Sequence, residues 1–120
     1  MKHLTDTNPM KHTRESLVAL VSECRDKNRG ICDLRGIDLS ELDLREVDLS
    51  WADLRGADLS WTDLQGANLQ EANLQSANLQ RVDLQGANLR GANLQKVDLQ
   101  GANLQEANLQ EVSLRWADLQ

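Results

Sequence analysis

Leucine occupies every fifth position from Leu34 to Leu119, eighteen times without a break. Two residues before each Leu stands a small or apolar residue, from Cys32 to Ala117. The residue directly before each Leu is Asp or Asn, and Ser113 is the one exception. Because this repeat covers about three quarters of the chain, it restricts the fold more than any other feature of the sequence.

A period of five fits neither regular secondary structure. On an α-helix of about 3.6 residues per turn, five residues advance roughly 140° beyond a full turn, so the Leu side chains would spread around the circumference. In a straight strand, successive Leu residues would point to opposite faces. All of them can stay inside only if the chain turns a corner in each repeat, and corners repeated in one sense close a coil.

The segments ADLRGADLS and GANLQEANLQSANLQ resemble the pentapeptide-repeat family, whose consensus is A(D/N)LXX, and all eighteen repeats follow the pattern. The resemblance implies an all-β solenoid, a right-handed quadrilateral β-helix with four repeats in each coil. The corner argument alone does not choose four sides over three. With four, residues 31–120 would make about four and a half coils, roughly 20 Å long at the usual spacing between strands.

The segment before the repeats has a different pattern and predicts an amphipathic helix over about residues 9–27. Asn8–Pro9 provides a start signal and Asn28–Gly30 a stop signal. We expect residues 1–30 to form a mobile N-terminus followed by this helix, which would cap the open first coil; a partner-binding helix is the alternative. Its apolar side would contain Met10, Thr13, Leu17, Val21 and Cys24.

Composition and charge narrow the classes of function. The net charge of −6 argues against direct nucleic-acid binding, which requires clustered Lys and Arg. The longest apolar run, Leu17–Val21, is too short to cross a bilayer, and residues 1–10 contain no apolar core of a signal peptide. We therefore expect a cytoplasmic protein without a membrane segment.

Two cysteines, Cys24 and Cys32, flank the start of the repeats. Neither belongs to a CxxC pair or has a His at metal-ligand spacing, so no metal or other cofactor is expected. Buried or half-buried thiols are the preferred interpretation. A disulfide is the alternative, and the expected compartment weighs against it.

Residues twenty apart should stack on one side of a four-repeat coil, which arranges the Asp residues in columns. We interpret Asp and Asn at these positions as partners of backbone groups near the corners. Equivalent carboxylates on a convex rod do not form a catalytic pair, so no enzyme is expected. The candidate interaction surface comprises Asp38, Asp43, Asp58, Asp63, Trp51 and Trp61, with the two Trp on opposite sides.

The predicted function is a non-enzymatic scaffold or protein-interaction module whose partner is unknown. Residues 31–65 contain nine acidic and three basic residues, so the acidic half is the N-terminal one. Because some members of the family it resembles are DNA mimics, the resemblance implies an alternative, an acidic mimic that binds DNA gyrase or another DNA-binding protein. The family's gyrase inhibitors have Phe at many central positions, whereas every central residue here is Leu.

The last repeats carry no helix signal, Pro or charged segment to close the coil. An open β-edge recruits another chain, so the sequence predicts a homodimer through residues 101–120. Its contacts would come from Leu114, Trp116 and Leu119.

Overall fold

The computed structural model describes residues 12–26 and 31–120, which form one helix, α1 (Arg14–Asp26), and a β-helix. Fourteen parallel β-bridges, from Asp33–Asp53 to Asp98–Asp118, each join a residue to the one twenty positions later. The coil therefore contains four repeats. Its first face comprises residues 32–34, its second 37–39, its third 42–44 and its fourth 47–49, and each face continues at intervals of twenty residues.

Successive coils are joined by backbone hydrogen bonds. Leu74 donates its N–H to the carbonyl oxygen of Asn93 in the next coil at 2.8 Å, and Asn73 donates to Ala52 in the preceding coil at 2.9 Å. The same two bonds recur on every face of the inner coils. Each coil thus depends on its neighbours for backbone hydrogen bonding, as in other solenoids.

Each corner is a tight turn. At the corner after Leu74, Ala77 donates its N–H to the Leu74 carbonyl at 2.9 Å, and Ser76 has a φ of 63°. Only the third residue of the turn has positive φ, which identifies a type II turn. Positive φ recurs at this position from Gly36 to Trp116, in eleven residues other than Gly and in six Gly. The corner therefore recurs with the period of the sequence.

The interior is a stack of Leu rings with a small residue beside each Leu. The central Leu side chains, from Leu39 to Leu94, are at most 1% exposed. Thr62 is the buried polar residue of this region, and its hydroxyl donates to the Leu39 carbonyl at 2.8 Å. In the last coil, by contrast, Leu119 is 60% exposed because no further ring covers it among the described residues.

Helix α1 begins at Arg14 after a reciprocal N-cap. Thr13 and Ser16 exchange hydrogen bonds: the Ser16 N–H donates to Thr13 Oγ1 at 3.0 Å, and the Thr13 N–H donates to Ser16 Oγ at 2.8 Å. This reciprocal N-cap fixes the first turn at Arg14, and residues 9–11 and 27 of the predicted helix lie outside the described residues. Leu17 and Val21 are buried in the core, whereas Met10 and Asn28–Gly30 lie outside the described residues.

Thr13 thus caps the helix, and it is exposed to solvent. Within the described residues, no helix has the length and apolar character needed to cross a membrane.

Cys24 and Cys32 form a disulfide, so the preferred interpretation of two thiols is wrong. Their Cα atoms lie 5.8 Å apart, within the range that a disulfide spans. The cause is the position of α1, whose last turn lies beside the first repeat. The bond joins α1 to the first face of the β-helix.

Candidate protein-interaction surface

The Asp and Asn residues have a structural role at the corners. At seventeen of the eighteen positions, Oδ1 accepts the backbone N–H of the residue two positions later, as Asn73 does from Gln75 at 3.1 Å. This confirms the interpretation that these residues satisfy backbone groups. Asp and Asn are equivalent in this bond, so the choice between them sets the charge of the surface without changing the turn.

The four-repeat coil brings most of the predicted interaction residues to one corner. Asp38 and Asp58 stack on the second face, Asp43 and Asp63 stack on the third, and Trp61 lies on the corner between these faces. Glu41, which was not among the predicted residues, is exposed one coil before Trp61 in the same corner column. We call this surface the acidic corner: Asp38, Glu41, Asp43, Asp58, Trp61 and Asp63.

Trp51 does not belong to this surface. It lies on the diagonally opposite corner, between the fourth and first faces, as the spacing of ten residues from Trp61 predicts. The two Trp side chains are similarly exposed, at 57% and 60%. Trp116, which is 72% exposed, lies on a third corner. The three Trp side chains therefore form no common platform.

Neighbouring side chains partly neutralise the carboxylates of the acidic corner. Arg45 donates two hydrogen bonds at 3.0 Å to Asp43, and these bonds lower the pKa of Asp43 to about 2. The same guanidinium lies 3.8 Å from Asp63. On the second face the partner is a hydroxyl, because Ser60 Oγ donates to Asp58 at 2.7 Å. Asp58 on the second face thus has a neutral hydrogen-bond donor, whereas Asp43 on the third face has a cationic one.

Arg81 marks the C-terminal boundary of the acidic corner. Its guanidinium lies over the Trp61 ring, 5.2 Å from the ring centroid, in the geometry of a cation–π contact. Gly101 permits this conformation, since a Cβ there would approach Arg81 Cδ to 2.7 Å. A shallow groove of about 430 Å³ follows this corner past Trp61, Arg81 and Gly101. One side of the Trp61 ring is therefore covered by a cation.

The side chains of the acidic corner are suited to electrostatic attraction and van der Waals contact with a partner. The acidic corner lies on the outside of a convex coil, and each of its Asp residues accepts a backbone N–H from the type II turn that follows it. In the part of the chain that the structure describes, no group of His, Cys, Asp or Glu is arranged to hold a metal ion. These side chains can attract a cationic surface and offer it one aromatic contact.

The family model for pentapeptide repeats matches eight copies that together cover residues 32–120. The chain belongs to the pentapeptide-repeat family. This confirms the family resemblance of the sequence, and the right-handed sense of the coil is what that resemblance implies. No curated protein matches the chain by sequence.

Solved pentapeptide-repeat structures are similar to this chain. Rfr23 of the cyanobacterium Cyanothece 51142 is 33% identical with a TM-score of 0.73, over 97% of this chain and 68% of Rfr23. A protein of the Arabidopsis thaliana thylakoid lumen is 34% identical with a TM-score of 0.72, over 79% of this chain and 66% of its own. A protein of Nostoc PCC 7120 is 37% identical with a TM-score of 0.59, over 90% and 79%. This chain thus spans about two thirds of the first two relatives.

Proposed function

We propose that this pentapeptide-repeat protein is a non-enzymatic interaction scaffold whose acidic corner binds a short basic segment of a protein partner. The observation that supports this function is that five acidic residues and one exposed Trp lie together at one corner of two adjacent coils. Charge complementarity would attract and orient the basic segment. Trp61 would contribute buried contact area, a frequent role of Trp in interfaces.

The length of the acidic corner favours a short basic segment. Two coils span about 10 Å, a length in which duplex DNA carries about six phosphate charges. The corner provides five carboxylates in that length, and the guanidinium groups of Arg45 and Arg14 lie 3.0 and 3.6 Å from Asp43. In the third coil, Asn78 and Arg81 interrupt the acidic surface. In these two coils the density of negative charge is therefore lower than that of DNA, and in the third coil Asp83 of the third face alone continues the acidic columns.

This limited length argues against the alternative function, a DNA mimic that inhibits DNA gyrase. A mimic must present a track of charge to the DNA-binding surface of the enzyme, and in the third coil Asn78 and Arg81 interrupt this track and leave only Asp83 on the third face. We expect little or no inhibition of gyrase supercoiling at micromolar protein. Strong inhibition that is lost when the four Asp of the acidic corner become Asn would favour the mimic instead.

The proposed function can be tested with a fluorescent oligolysine peptide as a defined basic probe, followed by fluorescence anisotropy. In the test variant, Asp38, Asp43, Asp58 and Asp63 are all replaced by Asn. The substitution preserves the turn, because Asn78 and Asn103 form the same Oδ1 bond on these two faces, each at 3.0 Å. We expect the variant to bind about tenfold more weakly, since exposed charge pairs contribute roughly 0.2–1 kcal/mol each.

A matched control removes the same charge from the opposite corner. It carries Asp48→Asn, Asp53→Asn, Glu71→Gln and Glu111→Gln, and should bind the probe within about twofold of the wild type, because these groups lie diagonally across the coil. Equal weakening in both variants would mean that the probe responds only to net charge. That result would contradict the acidic corner as a binding site.

The two exposed Trp residues provide a second comparison, independent of charge. Trp61→Ala should weaken probe binding and Trp51→Ala should not, although both side chains are similarly exposed. Equal affinities for the two Trp variants would remove Trp61 from the proposed site.

A further inference from the structure

At the N-terminal edge of the β-helix, the backbone carbonyl groups of the first coil need hydrogen-bond donors. In an inner coil, the carbonyl oxygens of Asp53 and Arg55 accept N–H groups from Leu34 and Gly36 of the preceding coil. In the part of the chain that the structure describes, no coil precedes the first one to supply these donors. An edge of this kind, with unpaired carbonyl groups, is open to other chains.

Helix α1 supplies donors from two arginine side chains. Arg14 reaches the third face, and Arg25 reaches the fourth. Each guanidinium donates to the two carbonyl oxygens that a preceding coil would otherwise serve. The acceptors are Asp43 and Arg45 for Arg14, at 2.9 and 3.0 Å, and Asp48 and Ser50 for Arg25, at 3.3 and 3.0 Å. Two arginine side chains thus replace part of a missing coil.

The disulfide holds the same helix on the first face. Cys32 is the inward residue of the first repeat and is only 5% exposed, and Cys24 is half-buried in the last turn of α1. The arginine bonds are weaker restraints, because the side chains of Arg14 and Arg25 are 40% and 39% exposed and solvent competes for them. The disulfide is the covalent restraint among the contacts that hold α1.

We propose that the Cys24–Cys32 disulfide is a redox latch that controls whether α1 covers the first coil. A cellular dithiol would open it by thiolate attack on the half-buried Cys24 sulfur, which forms a mixed disulfide and releases the Cys32 thiolate. The second thiol of the reductant then displaces Cys24. In total the protein gains two electrons and two protons, and the dithiol becomes a disulfide.

Opening the latch would change the surface at this end of the molecule. Leu17 and Val21 would leave the core, and the first Leu ring would become accessible together with the carbonyl edge. A reducing compartment would therefore favour a form with an open β-edge, and an oxidising one would favour the capped form. The inner coils keep their neighbours in both forms.

Hydrogen–deuterium exchange followed by mass spectrometry tests the latch in the full chain. The cysteines enclose a short loop, with a sequence separation of 8. Releasing a loop of this size raises the open population by up to roughly 60-fold in the chain-entropy model. We expect the amides of α1 to exchange at least tenfold faster after dithiothreitol treatment, with residues 57–99 unchanged.

Cys24→Ser is the matched variant, because it removes the bond at the half-buried position and leaves Cys32 in the core. It should exchange like the reduced wild type with or without dithiothreitol. The proposal is overturned if reduction leaves α1 exchange within twofold, if residues 57–99 lose protection together with α1, or if the native disulfide resists dithiothreitol. If the untreated protein, without dithiothreitol, reacts with an alkylating reagent at two free thiols, the proposal is overturned as well.

Discussion

Replacing Asn93 separates the structural role of the Asx side chain from its charge. Asn93 Oδ1 accepts the N–H of Gln95 at 3.0 Å, and this N–H has no other acceptor in the described residues. Asn93→Ala removes the acceptor but not the backbone bonds of residue 93. Asn93→Asp keeps the acceptor and adds one charge, in a column where the neighbours in the adjacent coils, Asn73 and Ser113, are uncharged.

The expected cost follows from the environment of the bond. A hydrogen bond contributes about 1 kcal/mol net, and an unsatisfied N–H costs about 1–3 kcal/mol when fully buried. Asn93 is half-buried, so water can reach part of the site. We therefore expect Asn93→Ala to lower the free energy of unfolding by about 1–2 kcal/mol, and Asn93→Asp to change it by less than about 0.5 kcal/mol.

Urea unfolding followed by circular dichroism measures both values, and an unchanged m-value would show that the unfolded state is the same. Ser113→Asn provides the reverse test, because Ser113 is the position where the Oδ1 bond is missing. It should stabilise the protein by up to about 1 kcal/mol. The reasoning is refuted if Asn93→Ala unfolds like the wild type, or if the Asp variant loses as much stability as the Ala variant.

Three further predictions concern the core, the charge pairs and the C-terminal end. Leu79→Ala removes a side chain that is 1% exposed and should cost about 2–5 kcal/mol in urea unfolding. Because Arg45 lowers the pKa of Asp43 to about 2, this pair stabilises the fold above about pH 4 and is lost as the pH falls towards 2; Arg45→Gln should flatten acid unfolding over that interval. We also propose that the last coil pairs with a second copy, since Trp116 and Leu119 are 72% and 60% exposed. Light scattering on a dilution series should then show a dimer that Leu119→Lys dissociates, and monomers of the native chain at all concentrations would contradict it.

The sequence was sufficient for the coil and its interior. A strict period of five forces a corner in each repeat, and the side chains that must stay inside can be read directly, including Leu79. The number of sides depended on the family resemblance, because a corner in each repeat fits three or four sides equally well.

The N-terminal segment was less predictable because its structure depends on local and tertiary contacts. The sequence analysis used Asn8–Pro9 as the start signal and placed Thr13 on the apolar side, whereas Thr13 and Ser16 form the N-cap of α1. The disulfide was the less favoured alternative because the expected compartment weighed against it, and the sequence did not show that α1 lies beside the first repeat, which brings Cys24 close to Cys32.

The interaction surface was predicted only in part. Spacing separated Trp61 from Trp51 correctly, but it did not show that Arg81 covers the Trp61 ring. That contact depends on the space left by Gly101, one coil further along the corner. Side-chain conformations across coils are tertiary properties that a repeat consensus does not specify.

The number of repeats per coil determines which residues share a surface, and it can be measured through a single hydrogen bond. In a four-repeat coil, the N–H of Leu74 bonds to the carbonyl of Asn93. A nuclear magnetic resonance experiment that detects scalar coupling across hydrogen bonds should therefore connect the Leu74 nitrogen to the Asn93 carbonyl carbon. A coupling to the Asn88 carbonyl carbon instead would mean three repeats per coil, which would separate the residues of the acidic corner and contradict the proposed site.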